Sequence, residues 1–422
     1  MEEFLRSCGR SVKDLDLDRA GPPYHVVLGN EACDLDSMVS ALAVAYFLSK
    51  TTHQNLAVLP VLNIRHQDLV LRSDNLHLLD QTGLDQNLLL FRDQLDLQDL
   101  QDTGRLTLTL VDHNVLPRAD SGLEGAVVEV IDHHVLEREP SPSCPVTMET
   151  VGSCATLVTE RILREAPGIL DQQLAHLLYA AVVVDCVNMA PAAGKVTPKD
   201  SQVAAALETR FPSLPPRGAL FTTLSNAKFD VSGLNVEQML LKDMKVVTGS
   251  LNVAISVLYI TLEEFLKGAG LEAELSSFCQ RSGFDLLVLM TISFSGSEPN
   301  RDLGVFSTST SYREQVSRYL EQTRSPALDL RPISSPHSLI TAFHQGNALA
   351  SRKKLLPLVK DFLSERAGGA CCPGDGEGEE PDVPPTPMNS LVDGCPLDGG
   401  LPRISSRDLQ DLQDRFGRMG DA

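Results

Sequence analysis

Short apolar runs typical of β-strands alternate with helical patterns through the first two hundred residues of this chain. The runs lie at residues 25–29, 56–64, 87–91, 106–111 and 126–131. Helical patterns lie between or after them, as in SMVSALAVAYFL at 37–48 and SCATLVTERIL at 153–163. Strands that alternate with helices indicate a mostly parallel sheet with helices on both faces. We therefore predict an α/β fold, in which ligands bind beyond the carboxyl ends of the strands.

A second α/β region follows a proline-rich break, FPSLPPRG, at residues 211–218. Its strand patterns lie near 251–260, 284–294 and 302–308. A helix is predicted near 346–365, where Pro357 should kink the helix or mark its start. This region is expected to form a second, smaller α/β domain.

The composition changes again from about residue 368, where Gly, Pro, Glu and Asp dominate, as is typical of a disordered tail. Close to its end, SSRDLQDLQDRFGRM has apolar residues at helical spacing and predicts a short terminal helix. The predicted organisation is a first domain over 1–210, a linker over 211–230, a second domain over 231–367 and a tail over 368–422.

Acidic residues stand directly after several of the apolar runs. They are Asp34 and Asp36 in GNEACDLDS, Asp112 in LTLVDHN, Asp132 with His133 and His134 in VVEVIDHH, and Asp185 in AAVVVDC. We expect these groups to meet at one edge of the sheet. Carboxylates that close raise one another's pKa values, and bound divalent cations remove that cost. Carboxylates with imidazole are ligands for Mn²⁺ or Mg²⁺, with Co²⁺ as an alternative.

The pair Asp34 and Asp36 has a simpler interpretation when it is taken alone. An acidic turn followed by a helix that Ser37 caps would use the same residues. The metal hypothesis therefore depends on all the acidic clusters lying at the same edge.

Charge and composition exclude several classes of function. A formal net charge of −20 argues against binding to nucleic acid or to an anionic membrane surface. No secretory signal and no apolar stretch of membrane-spanning length is present, and the nine cysteines form no C-x-x-C pair. We therefore expect a cytoplasmic protein, with the nucleus also allowed, that is not secreted. GNEACD lacks the glycine spacing of a dinucleotide site.

Four motifs, in this order, resemble the DHH phosphoesterase superfamily, which includes family II inorganic pyrophosphatases and exopolyphosphatases. They are N-x-x-x-D-x-D-S, V-D-H-N, I-D-H-H and V-V-D. The segments VGSCATLVTERIL, AKFDVSGL, SRKKLLPL and PPTPMNSLVDGCPLDGGLP are similar to the vertebrate Prune exopolyphosphatase branch. The resemblance runs from about residue 22 to residue 403 and implies a DHH domain followed by a DHHA2 domain.

The resemblance implies a role for each matching residue of the first domain. Asp34 would bind one metal ion, Asp36 would bind the other, and Asp112 would bridge the two. His133 and Asp185 would complete the coordination of the second ion.

Three further residues have implied roles around these ligands. His134 would face the substrate phosphate, and Asp132 would orient the histidines. Asn30 would also be a metal ligand. It stands where pyrophosphatases of the superfamily have a histidine ligand, and a carboxamide binds a metal more weakly than imidazole does, which favours the exopolyphosphatase branch.

In the second domain the resemblance implies that basic side chains bind the substrate. Lys245 would contact it, and Arg352 and Lys353 would hold phosphate oxygens, because a polyanion needs cations on the side opposite the metals. The alternative for Arg352 and Lys353 is a solvated helix N-terminus.

The predicted function is that of a metal-dependent exopolyphosphatase acting on short-chain inorganic polyphosphates. A water between two cations would lose its proton and attack a terminal phosphorus, and the second domain would close over the site. Inorganic pyrophosphatase and cyclic-nucleotide phosphodiesterase are the alternatives. The absence of Trp and the presence of only six Tyr weakly favour an inorganic chain over a nucleobase.

A function of another class is a signalling or interaction protein. The proline-rich segment VPPTPMNSLVDGCPLDGGLP and the terminal amphipathic stretch could dock partners in extended and helical modes. The family resemblance implies nucleoside diphosphate kinase as such a partner and a link to cell migration.

Overall fold

The computed structural model describes residues 1–15, 21–52, 56–139, 141–295 and 298–366. They divide into two compact units, Met1–Phe229 and a second that begins at Asp230. The tail from residue 368 and its predicted terminal helix lie outside the described residues. No described helix combines the length and the apolar character needed to cross a lipid bilayer.

The first unit is built on a sheet of six strands, all paired in parallel, in the order β3-β2-β1-β4-β5-β6. Its strands are β1 (Tyr24–Leu28), β2 (Ala57–Leu62), β3 (Leu90–Phe91), β4 (Leu106–Val111), β5 (Val127–Asp132) and β6 (Val146–Met148). The strand order reverses between β1 and β4, because β1 leads to β2 on one side and β4 leads to β5 on the other. Ligands of open α/β sheets bind at such a point, beyond the carboxyl ends of the strands.

Helices cover both faces of this sheet. They are α1 (Glu2–Leu15), α2 (Leu35–Thr51), α3 (Ser73–Thr82), α4 (Leu97–Asp102), α5 (Cys154–Glu165), α6 (Gln172–Asp185), α7 (Pro198–Arg210) and α8 (Arg217–Phe229). Val27 and Ile131 pack with α2, α5 and α6 on one face, whereas Val26 and Leu108 pack with α4 on the other. The predicted α/β fold with a parallel sheet covered on both faces is confirmed.

The second unit contains a mostly antiparallel sheet in the order β12-β13-β11-β9-β8-β7, with β10 paired to β11. Its strands are β7 (Met244–Thr248), β8 (Asn252–Leu258), β9 (Leu286–Thr291), β10 (Ser293–Ser295), β11 (Glu298–Phe306), β12 (Leu330–Ile333) and β13 (Ile340–Gln345). Its helices are α9 (Val236–Lys242), α10 (Leu262–Leu266), α11 (Leu271–Ser282), α12 (Thr310–Gln322) and α13 (Arg352–Arg366). The predicted second α/β region is confirmed.

Asp185 does not follow a strand, contrary to the sequence interpretation, which placed it at the edge of the sheet. It is the last residue of α6, and the valines before it are helical. This helix is apolar on nearly all sides and is buried among α2, α5 and α8. Burial against neighbouring helices therefore outweighs the weak preference of Val for strands.

The break at residues 211–218 does not begin an extended linker in the structure. Residues 217–229 form α8, and its Leu220 and Leu224 are buried in the first unit. The two units divide after this helix. Likewise, α13 begins at Arg352, six residues later than the predicted helix at 346, because β13 and the turn after it occupy the preceding residues.

Candidate metal centre

The loop after β1 approaches α2 closely. A Cβ on Gly29 would lie 2.4 Å from Ser37 Oγ, so a larger residue would displace the serine hydroxyl. That hydroxyl accepts a hydrogen bond from the Asn30 N–H at 2.7 Å. Asp34 caps α2 by accepting from the Ser37 N–H at 3.1 Å. The cap in this structure is thus Asp34, and Ser37 supports the loop.

Buried polar side chains of α3 and of the residue before it donate hydrogen bonds to the loop after β1. Arg72 is buried and donates from Nε and Nη2 to the carbonyl of Ala32 at 3.1 and 3.0 Å. Asn75 donates from Nδ2 to the carbonyl of Cys33 at 2.9 Å. These bonds fix Cys33 in the left-handed region, with φ of 47°, where a residue with a side chain is strained.

Asp36 joins α2 to the start of α5. Its Oδ2 accepts from the Cys154 N–H at 2.5 Å, and its Oδ1 accepts from the Ala155 N–H at 2.8 Å. The side chain is buried, and Oδ1 also accepts from the Ser40 hydroxyl at 3.2 Å. A carboxylate at this position satisfies free N–H groups and opposes the positive end of the helix dipole.

Asp112 follows β4 with φ of 61° and a buried side chain. Its Oδ2 accepts from Asn30 Nδ2 at 2.8 Å. Its Oδ1 accepts no aligned hydrogen bond, although it lies 3.2 Å from His133 Nε2. Burial raises the pKa of Asp112 well above its ordinary value, and the charges of Asp36 and Asp34 raise it further.

His133 presents Nε2 to these acids. Its Nδ1 lies 2.9 Å from the carbonyl of Val151, which can only accept, so Nδ1 carries the proton in the neutral ring. Nε2 lies 3.2 Å from Asp112 Oδ1 and 3.7 Å from Asp36 Oδ2. Burial lowers the pKa of His133, but the close contact with the Asp112 carboxylate and the charges of Asp36 and Asp112 outweigh it and raise the pKa.

Asp132 orients His134 rather than the ring of His133. Its Oδ1 lies 2.8 Å from His134 Nδ1, and its Oδ2 accepts from Asn114 Nδ2 at 2.6 Å. Burial alone would raise the pKa of Asp132, but these bonds lower it to about 2. The His134 side chain is 55% exposed, and the hydrogen bond with Asp132 raises its pKa.

Asp185 lies close enough to the other acids to be affected by their charges. Burial raises its pKa well above the ordinary value, and Asp36, Asp34 and Asp112 raise it further. Its position at the negative end of α6 is also unfavourable for a carboxylate. The following residues 187–189 all have positive φ, between 47° and 59°. The segment therefore combines unfavourable charge with a strained backbone, as functional sites often do.

Three of the predicted site residues have ligand atoms close enough to share one metal ion. Ligand atoms of Asp112, His133 and His134 all lie within 4.8 Å of one another. Asn30, predicted as a metal ligand, uses its carboxamide within the protein, since Oδ1 accepts from the Cys33 N–H at 2.9 Å and Nδ2 donates to Asp112. The assignment of each ligand to a metal ion stays a prediction.

Sequence reasoning missed Arg72, Asn75 and Asn114 as parts of this site. Asn114 was quoted in the V-D-H-N motif without a role, and its position two residues after Asp112 was the available signal. Arg72 and Asn75 carry no local signal, because their partners are 40 and 42 residues away along the chain.

The predicted substrate residues of the second unit have contacts of their own. Arg352 begins α13 and forms a hydrogen-bonded ion pair with Asp243, whose other oxygen accepts from the Tyr259 hydroxyl at 2.8 Å. Lys245 is half-buried on β7, and Lys353 is exposed. Their predicted contact with substrate stays a prediction.

The residues fit divalent cations. Among the described residues, the buried Asp112 Oδ1 forms no aligned hydrogen bond, and His133 Nε2 lies 3.2 Å from it. A cation that displaces the Nε2 proton would find both atoms side by side. Burial and the neighbouring carboxylate charges raise the pKa values of Asp112 and Asp185, as expected of acids that share a site without a counter-ion. Hard oxygen ligands with one imidazole suit Mn²⁺ and Mg²⁺.

Comparison with known proteins identifies the families of both units. Residues 25–182 match the model of the DHH family, N-terminal domain, and residues 222–362 match that of the DHHA2 domain. Exopolyphosphatase PRUNE1 of Bos taurus is 47% identical over 436 residues, covering 96% of this chain and 95% of the relative. The human protein of the same name is 46% identical with the same coverage.

A more distant relative matches most of this chain, but the match covers only a small part of the relative's own length. Protein prune homolog 2 of Mus musculus is 33% identical over 368 residues, which are 87% of this chain and 12% of that protein. The predicted DHH and DHHA2 resemblance is confirmed. This chain belongs to the DHH family, with a DHHA2 domain after its DHH domain, and within it to the exopolyphosphatases similar to PRUNE1.

Proposed function

We propose that this chain is a metal-dependent exopolyphosphatase that removes phosphate from the end of short inorganic polyphosphates. The observation that carries the proposal is the buried Asp112 Oδ1, which forms no aligned hydrogen bond with the described residues and lies 3.2 Å from His133 Nε2 at the reversal point of a parallel sheet. The names of relatives that are 46% and 47% identical along nearly the whole chain support the reaction class.

In this proposal two divalent cations, Mn²⁺ or Mg²⁺ with Co²⁺ as an alternative, are held by carboxylates and one imidazole. The ligands would be Asp34, Asp36, Asp112, His133 and Asp185. When bound, such cations polarise phosphoryl oxygens and lower the pKa of coordinated water toward neutrality. The Asn30 carboxamide would keep Asp112 in place by the bond between Nδ2 and Oδ2.

His134 is suited to bind a phosphate oxygen of the substrate. Its Nδ1 is held by Asp132, its ring is half exposed, and its raised pKa favours the protonated ring. Nε2 would then donate a charged hydrogen bond toward a phosphate oxygen, where negative charge develops during cleavage. Asp132 keeps the ring in this orientation and supplies the compensating charge.

We further propose that residues 1–210 form the metal-binding domain and that residues 231–367 supply cations to the substrate. Lys245, Arg352 and Lys353 would contact phosphate oxygens, as the family resemblance implies. The ion pair with Asp243 fixes the position of the Arg352 guanidinium at the start of α13, and Arg can engage phosphate oxygens bidentately.

The test is a parallel assay of tripolyphosphate, tetrapolyphosphate, pyrophosphate and a cyclic nucleotide, each with Mg²⁺, Mn²⁺ and Co²⁺. We expect phosphate release from the short polyphosphates, and loss of at least two orders of magnitude in Asp112→Asn. If pyrophosphate or the cyclic nucleotide is hydrolysed faster than the short polyphosphates, the proposed substrate is wrong and the corresponding alternative function is correct. Undiminished turnover in Asp112→Asn would disprove the site.

We also propose that the proline-rich tail recruits a partner, with nucleoside diphosphate kinase as the candidate, and that the protein acts in the cytoplasm and also in the nucleus. The proposal rests on the sequence of residues 368–422 and on the family resemblance. Deletion of these residues should abolish co-precipitation of purified nucleoside diphosphate kinase and leave polyphosphate hydrolysis unchanged. Equal capture by the full chain and the deletion variant would contradict the proposal.

A further inference from the structure

Asp200 is a fully buried carboxylate near the start of α7, away from the predicted metal ligands in the sequence. Together with Thr197 it forms the capping box of that helix, with Oδ2 accepting from the Thr197 N–H and hydroxyl, both at 2.7 Å. A capping box by itself is a structural feature of a helix start.

Two further hydrogen bonds of Asp200 leave α7 and reach Gly152, just before α5, and Thr156, in the first turn of α5. Its Oδ2 accepts from the Gly152 N–H at 2.9 Å, and its Oδ1 accepts from the Thr156 hydroxyl at 2.6 Å. The capping box needs neither bond. One carboxylate therefore binds both sides of the turn that begins α5.

The backbone at Gly152 is packed too closely for any other residue. A Cβ there would lie 2.3 Å from Cys186 Sγ, 2.7 Å from the Lys195 carbonyl and 3.1 Å from Asp200 Oδ2. This contact brings the turn against the residue that follows Asp185 in the chain. The position of Gly152 is thus limited by Cys186, which follows α6, by Lys195, which precedes α7, and by Asp200 of α7.

The residues on either side of Gly152 serve the metal centre directly. The carbonyl of Val151 receives the Nδ1 proton of His133 at 2.9 Å, and the N–H groups of Cys154 and Ala155 hold both oxygens of Asp36. A shift of this turn would therefore move the imidazole and the carboxylate at once.

We propose that Asp200 is a positioning residue of the metal centre, which holds the Val151–Thr156 turn so that His133 Nε2 and Asp36 face the metal ions. This inference rests on the proposed function. Outer partners that fix the orientation of a metal-binding histidine commonly change metal affinity 10- to 100-fold when they are removed. The role is exerted through the turn, since the bonds of Asp200 end at Gly152 and Thr156.

The test compares the Mn²⁺ affinity of full-length variants of this network. The affinity is measured by Mn²⁺ titration followed by electron paramagnetic resonance spectroscopy. Asp200→Ala removes the capping box and the two bonds to the turn. Thr197→Ala is the matched control, because it weakens the same capping box and leaves Gly152 and Thr156 bonded to Asp200. We expect the Kd for Mn²⁺ to rise about tenfold or more in Asp200→Ala and to stay within about twofold in Thr197→Ala.

A second pair of variants keeps the test decisive if Asp200→Ala does not fold. Thr156→Val replaces the hydroxyl with a methyl group of the same size, and Thr156→Ser restores the hydroxyl. We expect weaker Mn²⁺ binding in Thr156→Val and recovery in Thr156→Ser. Thr156→Val with wild-type affinity would overturn the positioning role and leave the proposed function standing. A wild-type chain that binds no Mn²⁺ or Mg²⁺ would overturn both.

Discussion

Asn114 Nδ2 donates to Asp132 Oδ2 over 2.6 Å and thereby ties the loop after β4 to the end of β5. The amide oxygen of Asn114, Oδ1, accepts from the N–H groups of Glu137 and Arg138 in the loop after β5, at 2.9 and 3.2 Å. The other oxygen of Asp132 is engaged by His134. The two similar motifs, V-D-H-N and I-D-H-H, are thus parts of one network, in which the asparagine of the first supports the acid of the second.

The first prediction is that Asn114→Asp destabilises the protein strongly and in a pH-dependent way. The substitution places a second buried carboxylate against Asp132, whose pKa of about 2 depends partly on the Asn114 bond. We expect the free energy of unfolding at pH 7 to fall by about 2 kcal/mol or more, and part of the loss to be recovered near pH 5.

Asn87→Asp is the matched control for this variant. Asn87 donates from Nδ2 to Asp85 at 2.8 Å, so the chemistry of the pair is the same, but the residue is exposed. Solvent screening should limit the effect of this control to about 0.5 kcal/mol in urea unfolding. If both substitutions destabilise the protein equally, burial of the Asn114–Asp132 pair does not increase the cost of the added charge, and the prediction is wrong.

The second prediction separates the role of Asp112 from that of Asp36 in the metal-free protein. Asp112→Asn removes a buried charge that lies beside the charges of Asp36 and Asp34, so its free energy of unfolding in a chelator should rise while catalysis is lost. Asp36→Ala removes the acceptor for two N–H groups of α5 and should lower the free energy of unfolding by about 1–2 kcal/mol. Urea unfolding of both variants in EDTA measures the difference. A shift of the same sign in both would contradict the assignment.

The third prediction concerns the pH dependence of stability without metal. The pKa values of Asp112 and Asp185 are raised in the folded state, so the folded protein binds more protons than the unfolded chain above the ordinary carboxyl pKa. Stability should therefore fall as the pH rises through these raised pKa values, and the raised pKa of His133 adds to the trend above the ordinary histidine pKa.

Unfolding measured in EDTA and in Mn²⁺ between about pH 5 and pH 8 checks this sign. Cations displace the bound protons, so Mn²⁺ should stabilise the protein more at the higher pH. Asp132 contributes little to this window, because its pKa is about 2 and its stabilising effect is lost only in stronger acid. If the stability of the metal-free protein instead increases with pH over this range, groups of the protein itself must neutralise the charges of Asp112 and Asp185, and the prediction is wrong.

The fourth prediction is that Gly152→Ala disrupts both the fold and the metal site. The new Cβ would meet Cys186 Sγ and the Lys195 carbonyl, so the backbone must move. We expect a loss of about 1–3 kcal/mol in stability, with weaker Mn²⁺ binding in whatever fraction folds. Gly168→Ala is the control, because an added Cβ there has no neighbour within 4 Å. Thermal unfolding and Mn²⁺ titration of both variants provide the measurement.

Much of the first unit could be predicted from the sequence, because the signals are local. The apolar runs correspond to β1, β2, β4 and β5, and the alternation with helices predicted a parallel sheet. Asp112 and Asp132 were correctly placed at the ends of adjacent strands. Parallel strands with covered faces leave a clear periodicity, and the carboxyl ends of such strands lie at one edge.

The conformation around Asp185 could not be predicted in this way. A run of alanine and valine is compatible with a buried strand or a buried helix, and only its packing against other helices decides between them. The structure shows that one of the predicted ligands comes from a helix end.

Most strands of the first unit and the acids Asp112 and Asp132 at the ends of two of them could be predicted from the sequence, since each depends on residues a few positions apart. The groups that support those acids became apparent only in the folded chain. Arg72, Asn114 and Asp200 have partners between 18 and 48 residues away for the bonds that matter here. A buried polar group must find its hydrogen-bond partner wherever the fold brings one, and that choice leaves no periodic pattern in the chain.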